Sequence, residues 1–245
     1  NNLFRILGNT VPDYHNTSSS CKNVSGVVNG NTDDIEGLIK FVYGYDYFAY
    51  EGCSNMNKIR DSVLGDIYHS QLVEVGKPRA NTFFTASNQE AYWRSMNGYA
   101  GFARNNENRQ RVIYAGANDG MLHAFDATEE GDGKELWAFV PPFIAGRLPE
   151  LVNEALDGMV GDRGGTNSIF AVDGSPVIHD MYIRGIKDGE WETNKSWHTI
   201  LFIAYGRGGN GFSVLDVTHP EKPHHMFSVY NNKEAGKILV AKSNG

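Results

Sequence analysis

The sequence predicts a mostly β chain of short strands and tight turns. Three observations carry that expectation: 28 glycines among 245 residues, an aromatic share of 12% within a 40% hydrophobic composition, and a stretch from Arg111 to Phe139 in which apolar runs alternate with turn residues. A helical bundle has little use for so much glycine, whereas a chain of many strands needs it at its turns.

The stretch from Arg111 to Phe139 sets the pattern. Val112, Ile113 and Tyr114 form a β-branched and aromatic run, and Asn118-Asp119-Gly120 supplies residues that accept positive φ, as a type I′ turn requires. Leu122, Ala124 and Phe125 begin a second strand. Asp126-Ala127-Thr128 and Gly131-Asp132-Gly133 turn the chain again, and Leu136 to Val140 make a third strand that Pro141-Pro142 ends.

The remaining elements follow in order. Residues 1–30 alternate short apolar pieces with polar clusters and read as loop or edge structure. Thr32-Asp33-Asp34 looks like an N-cap with an acidic first turn; Ile35, Leu38, Ile39 and Val42 recur at helical spacing until Gly44 stops the run. The aromatic cluster Tyr43, Tyr45, Tyr47, Phe48 and Tyr50 reads as a half-buried surface under a loop rather than a stacking platform. Leu72, Val73 and Val75 close a strand, Asn81 to Ala86 is expected to be the next, and Tyr92 to Ala103 reads as helix or irregular structure. Leu148, Leu151, Val152, Ala155 and Leu156 again have helical spacing, an insertion between strands. Ile169 to Ile183 reads as strand, Asp173-Gly174 turn, strand; Thr199 to Thr218 as strand, Gly/Asn turn, strand.

Two of these elements echo earlier ones. Asp173 to Val177 repeats the bend-then-strand grammar of His69 to Val73 at an offset of 173 − 69 = 104. Leu215-Asp216 repeats Phe125-Asp126 at an offset of 216 − 126 = 90, with Met226 to Val229 standing where Leu136 to Val140 stood. Two units of about four strands in the same order are the mark of a partial β-propeller with padded blades, short helical insertions and further padding from Asp188 to Ser196. Gly236 to Val240 is expected to begin a third unit. The expected division is a flank over residues 1–60 and blades over residues 61–245, an incomplete ring that continues past Gly245. A chain that starts without Met and stops at Ser243-Asn244-Gly245 reads as part of something longer.

Charge and cysteines bound the function. A formal net charge of −7 argues against nucleic acid as a partner, because phosphate backbones demand an electropositive face. No apolar run is long enough to span a bilayer, and the first ten residues have neither a basic n-region nor a signal core. Cys21 and Cys53 are the two cysteines, 53 − 21 = 32 positions apart. They are either a disulfide or two unrelated thiols. The Ser, Asn and Gly around them have the composition of an exported chain and favour the disulfide, which would contribute about 3–4 kcal/mol.

The phrase from Val112 to Ala127, followed by Glu135 to Pro142, resembles the C-terminal domain of the type IV pilus tip adhesins of the PilC/PilY family. Leu64 to Ser70, Val172 to Val177, and Gly206 to Gly211 ahead of Leu215 to Thr218 are similar to that family's landmarks in the family's order; Gln71-Leu72 departs from its usual small-residue-Pro step. The Tyr-rich flank with its cysteines is most similar to the neisserial PilC branch. The resemblance implies a modified propeller of quinoprotein-like blades in an exported protein of the pilus tip and outer membrane. It implies roles in pilus extension and retraction and in host-cell adhesion, with pilin, minor pilins and a host-cell receptor as partners. It also implies calcium, held in the family by alternating Asp residues; no Asp-x-Asp-x-Asp run occurs here, and no ligand is assigned.

Several of these residues admit other chemistry as well as structural roles. Val112 to Phe139 also resembles a PQQ-type repeat, and the alternative reading is a periplasmic quinoprotein dehydrogenase or an outer-membrane propeller scaffold. Such an enzyme commonly has adjacent cysteines over its cofactor, and Cys21 and Cys53 are not adjacent, so no PQQ and no catalysis are expected. Gly206 to Gly211 lacks the Lys-Ser/Thr of a P-loop and reads as a wide hairpin. His198, His219, His224 and His225 could bind a metal, but the pair beside Pro223 reads as a solvated loop.

Overall fold

The turn residues and the apolar runs between them set out two antiparallel meanders. In the computed structural model, which describes residues 39–45, 59–60, 62–85, 88–151 and 169–243, β1 (Val73–Val75), β2 (Val112–Gly116), β3 (Leu122–Asp126) and β4 (Glu135–Phe139) form a four-stranded sheet in that order. The second sheet has five strands: β5 (Pro176–Ile183), β8 (Ser196–Ala204), β9 (Gly211–Asp216), β10 (His224–Asn232) and β11 (Lys237–Lys242), ordered β11-β10-β9-β8-β5. A separate hairpin, β6 (Ile186–Lys187) with β7 (Glu190–Trp191), fills part of the padding between β5 and β8.

The repeat holds at the level of register. Ala124 faces Trp137 and Leu122 faces Phe139; Val214 faces Phe227 and Phe212 faces Val229, each pair displaced by 214 − 124 = 90. Both ladders also slip at one matching residue, Leu136 in the first sheet and Met226 in the second. A bulge at the same place in two sheets bends both fourth strands alike. Strands β5, β8, β9 and β10 are therefore the counterparts of β1 to β4, and the fold is mostly β with two successive blades of a partial propeller.

The blades pack face to face. Val112, Tyr114, Leu122 and Ala124 from the first join Leu201, Ile203, Tyr205 and Leu215 from the second in one buried core. Period-two alternation accounts for it: along β8, Leu201 and Ile203 point into this core while Ile200 and Phe202 point to a second apolar cluster with Val214, Phe212 and Phe227. A sheet apolar on both faces belongs in a stack of blades. Fully burying a side chain such as Leu201 contributes about 1.5–3 kcal/mol.

Two helices enter between β1 and β2: α1 (Gln89–Met96) and α2 (Tyr99–Asn105). Asn88 caps α1 by accepting from the Ala91 N–H at 3.1 Å, and Glu90 sits in its first turn. Residues 39–42 are helical, and the turn after them closes as a Schellman motif: Tyr45 N–H donates to Lys40 O and Gly44 N–H to Phe41 O, with Gly44 at φ 92°. Gly44 stops that helix, as its position suggests.

Three expectations fail in detail. Asn81 to Thr85 is not a strand: the Asn81 side chain accepts from Phe83 N–H, while Arg94 and Ser95 of α1 donate to the Asn81 and Thr82 carbonyls. Those backbone groups are consumed by a helix, and no ladder forms. Residues 169–172 are likewise not a strand, because Val172 N–H donates to Ala117 O and Ala171 N–H to the Asn118 side chain of the other blade. Gly236 to Val240 does not begin a third unit; β11 pairs with β10 from Phe227–Lys242 to Asn232–Lys237 and widens the second. After Pro141, which ends β4, α3 (Pro142–Ala145) forms with Pro at its first position, followed by a 3₁₀ turn at Leu148–Leu151. The rest of the helix expected to Leu156, the Tyr47 to Tyr50 cluster, Cys21 and Cys53 lie outside the described residues.

Candidate functional site

The residues that stood out in the sequence gather at the seam between the blades. The β2–β3 loop, Ala117 to Met121, lies between two segments: Asn118 N–H donates to Asp66 O at 3.0 Å, and Ala117 O accepts from Val172 N–H at 3.2 Å. Positions that echo one another in sequence touch. His69 Nδ1 lies 2.7 Å from Asp173 Oδ2, and Gln71 N–H donates to Ser175 Oγ at 3.1 Å, both across the offset of 104. Ser70 Oγ accepts from Gly116 N–H at 2.9 Å. Asp173 is buried and His69 partly exposed, so the pair pins an outer segment to the core.

Asp119 is the centre of the loop. Only Gly120 has positive φ there (93°), so the turn is not type I′, and turn geometry alone does not account for Asp119. The carboxylate accepts from Gly65 N–H (2.8 Å) and Met121 N–H (3.1 Å) and meets His123 Nε2 at 3.0 Å. The other ring nitrogen, Nδ1, is 2.5 Å from Glu135 Oε1. A neutral imidazole has one N–H, so carboxylates at both nitrogens call for the cation. Burial opposes that charge, but the hydrogen bonds to Asp119 and Glu135 outweigh it and push the pKa up to about 9.

The second blade holds a similar clasp. His198 Nδ1 is 2.6 Å from Asp216 Oδ2 and Nε2 is 2.8 Å from Glu192 Oε2. Against burial, the two carboxylates raise the His198 pKa, Asp216 most, and His198 in turn holds Asp216 below the ordinary carboxylate range despite its burial. Asp216 Oδ1 also accepts from the Thr218 hydroxyl (2.6 Å) and N–H (3.1 Å); Asp126 Oδ1 does the same with Thr128 (2.6 and 2.9 Å). This Asp-x-Thr turn is thus a repeated structural lock at the end of β3 and β9.

The remaining candidates are dispersed. His225 opens β10 beside His224 and pairs with Leu215, so the two histidines belong to a strand and not to a solvated loop. Its Nε2 meets Ser228 Oγ at 2.8 Å, and burial lowers its pKa. Gly206 to Gly211 joins β8 to β9 through a 3₁₀ turn, the wide hairpin expected, with the Arg207 guanidinium 5.1 Å from the centre of the Phe170 ring. Trp137 Nε1 donates to Pro220 O at 2.7 Å, tying β4 to the neighbouring blade. Between β4 and the β10–β11 hairpin lies a cavity of about 920 Å³ whose walls include Phe125, Trp137, Phe139, Ile186 and His225. Among the described residues no three His, Cys, Asp or Glu side chains gather to hold a metal ion. No helix among them is long and apolar enough to cross a membrane.

Successive padded blades, locked at the seam by backbone and carboxylate contacts, define a propeller scaffold in which the conspicuous polar residues serve architecture. The PilY1 beta-propeller domain matches residues 64–237, and this chain belongs to that family. A type IV pilus biogenesis factor PilY1 homolog of Xylella fastidiosa is 38% identical over 163 residues, 66% of this chain and 11% of that protein. Type IV pilus biogenesis factor PilY1 of Pseudomonas aeruginosa strain PAO1 is 36% identical over 66% of this chain and 12% of its own length. The crystal structure of the Pseudomonas aeruginosa PilY1 C-terminal domain aligns with 66% of this chain and 26% of its own, at 29% identity and a TM-score of 0.41. The match thus spans about an eighth of the curated relatives or less.

Proposed function

We propose that this chain is the blade-bearing part of an exported type IV pilus biogenesis factor and tip adhesin, acting through interaction surfaces and without catalysis. The observation that carries this reading is the seam. The landmarks from Leu64 to Ser70 and from Val172 to Val177 meet around the β2–β3 loop, inside the span matched by the PilY1 domain. In this reading residues 1–60 are a flank and residues 61–245 carry blades of a ring. The protein sits at the pilus tip and outer membrane and meets pilin and minor pilins. Host-cell contact and control of extension and retraction come from loops at the blade ends and from strand edges. Calcium enters this reading only through the family resemblance, and no ligand is assigned.

Deleting the gene and restoring it in its native strain tests the reading. The deletion should remove or sharply reduce surface pili and attachment to host cells, and restoration should return both; unchanged piliation and attachment would overturn it. Purified protein supplied with PQQ, calcium and an artificial electron acceptor separates the quinoprotein alternative, since sustained turnover there contradicts a purely binding role.

A further inference from the structure

We infer that the β6–β7 hairpin is a proton-operated strap, latched to the second blade while His198 carries its charge and lifted when that charge is lost. The inference is independent of the pilus role and rests on how the hairpin is tied down.

The hairpin has two polar tie points, and both end on one imidazole–carboxylate pair. Ile186 N–H donates to Asp216 Oδ2 at 3.2 Å, and Glu192 Oε2 lies 2.8 Å from His198 Nε2. Glu192 N–H donates to Gly185 O at 3.0 Å, so the two ends of the hairpin close on each other and move together. A Cβ at Gly185 would collide with the His198 ring, so the base of the hairpin lies directly on the imidazole. Lys187, Asp188, Gly189, Glu190 and Trp191 are exposed, whereas Ile186 is buried against Ile200, Val214 and Met226.

Hydrogen-bond chemistry makes the latch depend on charge. His198 faces Asp216 from β9 and Glu192 from the hairpin; Ser196 Oγ on β8 lies 2.8 Å from its Nε2, and Thr218 Oγ1 lies 3.5 Å from its Nδ1. Lys187 acts on Glu192 from within the hairpin. A charged imidazole donates to both carboxylates, but a neutral one has a single N–H. The Asp216 side chain is 2% exposed and that of Glu192 21%. The more buried carboxylate costs more to leave unpaired, so Asp216 keeps the N–H. Nε2 and Oε2 are then two acceptors 2.8 Å apart, and the one Ser196 hydroxyl cannot serve both. Glu192 withdraws into solvent, and the hairpin lifts with it and uncovers Ile186.

Burial opposes the charge on His198, but Asp216 and then Glu192 outweigh it and raise the pKa above its ordinary value of 6.5. The latch is therefore complete below about pH 6.5 and is lost as pH rises through the raised value. The first blade supplies the contrast. His123 also has a carboxylate at each nitrogen, but Glu135 belongs to β4 and is held in its ladder opposite Phe125, so loss of charge there frees no segment.

Hydrogen–deuterium exchange of the whole chain, corrected for the intrinsic change in amide rate, tests the strap. Protection over residues 185–192 should fall at least about tenfold between about pH 6 and about pH 10. Glu192→Gln supplies an amide that donates to a neutral Nε2 and accepts from a charged one, so its protection should stay within about threefold over the same range. A smaller fall in the unaltered chain would overturn the inference. So would a larger fall in Glu192→Gln, because the loss would then come from global unfolding, to which His123 contributes in both proteins.

Discussion

The His123 clasp yields a prediction whose size and sign follow from the structure. His123 is buried on β3 with both ring nitrogens on carboxylates, and its pKa rises from 6.5 to about 9. That rise corresponds to roughly 3 kcal/mol of folded-state stabilisation. Asp119, itself buried, is the stronger partner, because Glu135 is about half exposed and solvent screens its share. A folded-state pKa above the unfolded value means that the contribution is complete below about pH 6.5 and is lost as pH rises through about 9. The substitution His123→Gln retains an N–H donor and removes the titration. Urea unfolding of both proteins from about pH 6 to about pH 10 should show a stability gap that narrows by roughly 3 kcal/mol across that range. Lysines, tyrosines and His198 titrate in both proteins and cancel in the difference. A gap that stays constant with pH would refute the imidazolium and leave only packing to explain the burial.

Asp216→Asn removes the charge that His198 faces at 2.6 Å in a buried position, and urea unfolding should register a loss of about 3–5 kcal/mol. Asp126→Asn, at the matching position of the first blade but more exposed, should cost clearly less; equal losses would show that burial does not set the strength of the Asp-x-Thr lock. Trp137→Phe keeps most of the ring and loses the hydrogen bond to Pro220 O, so thermal unfolding should detect a loss of about 1 kcal/mol, and no change would deny that bond a role in docking the blades. Thiol labelling of the unreduced, denatured protein should find neither Cys21 nor Cys53 free, and labelling of both would discard the disulfide.

The meanders were legible because turn residues and period-two alternation are local. Asn118 to Gly120 marks the break between β2 and β3, and Gly131 to Gly133 marks the next. Where the reading failed, backbone hydrogen bonds went to partners distant in sequence. Asn81 to Thr85 has strand composition, but Arg94 and Ser95 take its carbonyls, and no window of a few residues contains that competition. The same holds for residues 169–172, whose donors point to the first blade. In β11 the failure was one of assignment: Lys237 to Val240 does form a strand, but sequence spacing could not show that a four-residue turn ending at Gly236 folds it back on β10.

The buried polar positions were harder to read, and the repeat explains why. His123 and Glu135 stand at positions that Ser213 and His225 occupy ninety residues later (213 − 123 = 90; 225 − 135 = 90). In the second blade the link is made through hydroxyls: Ser213 meets Tyr205 at 2.8 Å and Ser228 at 2.7 Å, and Ser228 meets His225 at 2.8 Å. One blade thus satisfies this site with a charge and the other with neutral hydroxyls, so a search for repeated residue types passes over it. What is shared is the requirement that a polar group buried between blades find a partner on the adjoining strand. That requirement is visible in the register and not in the letters.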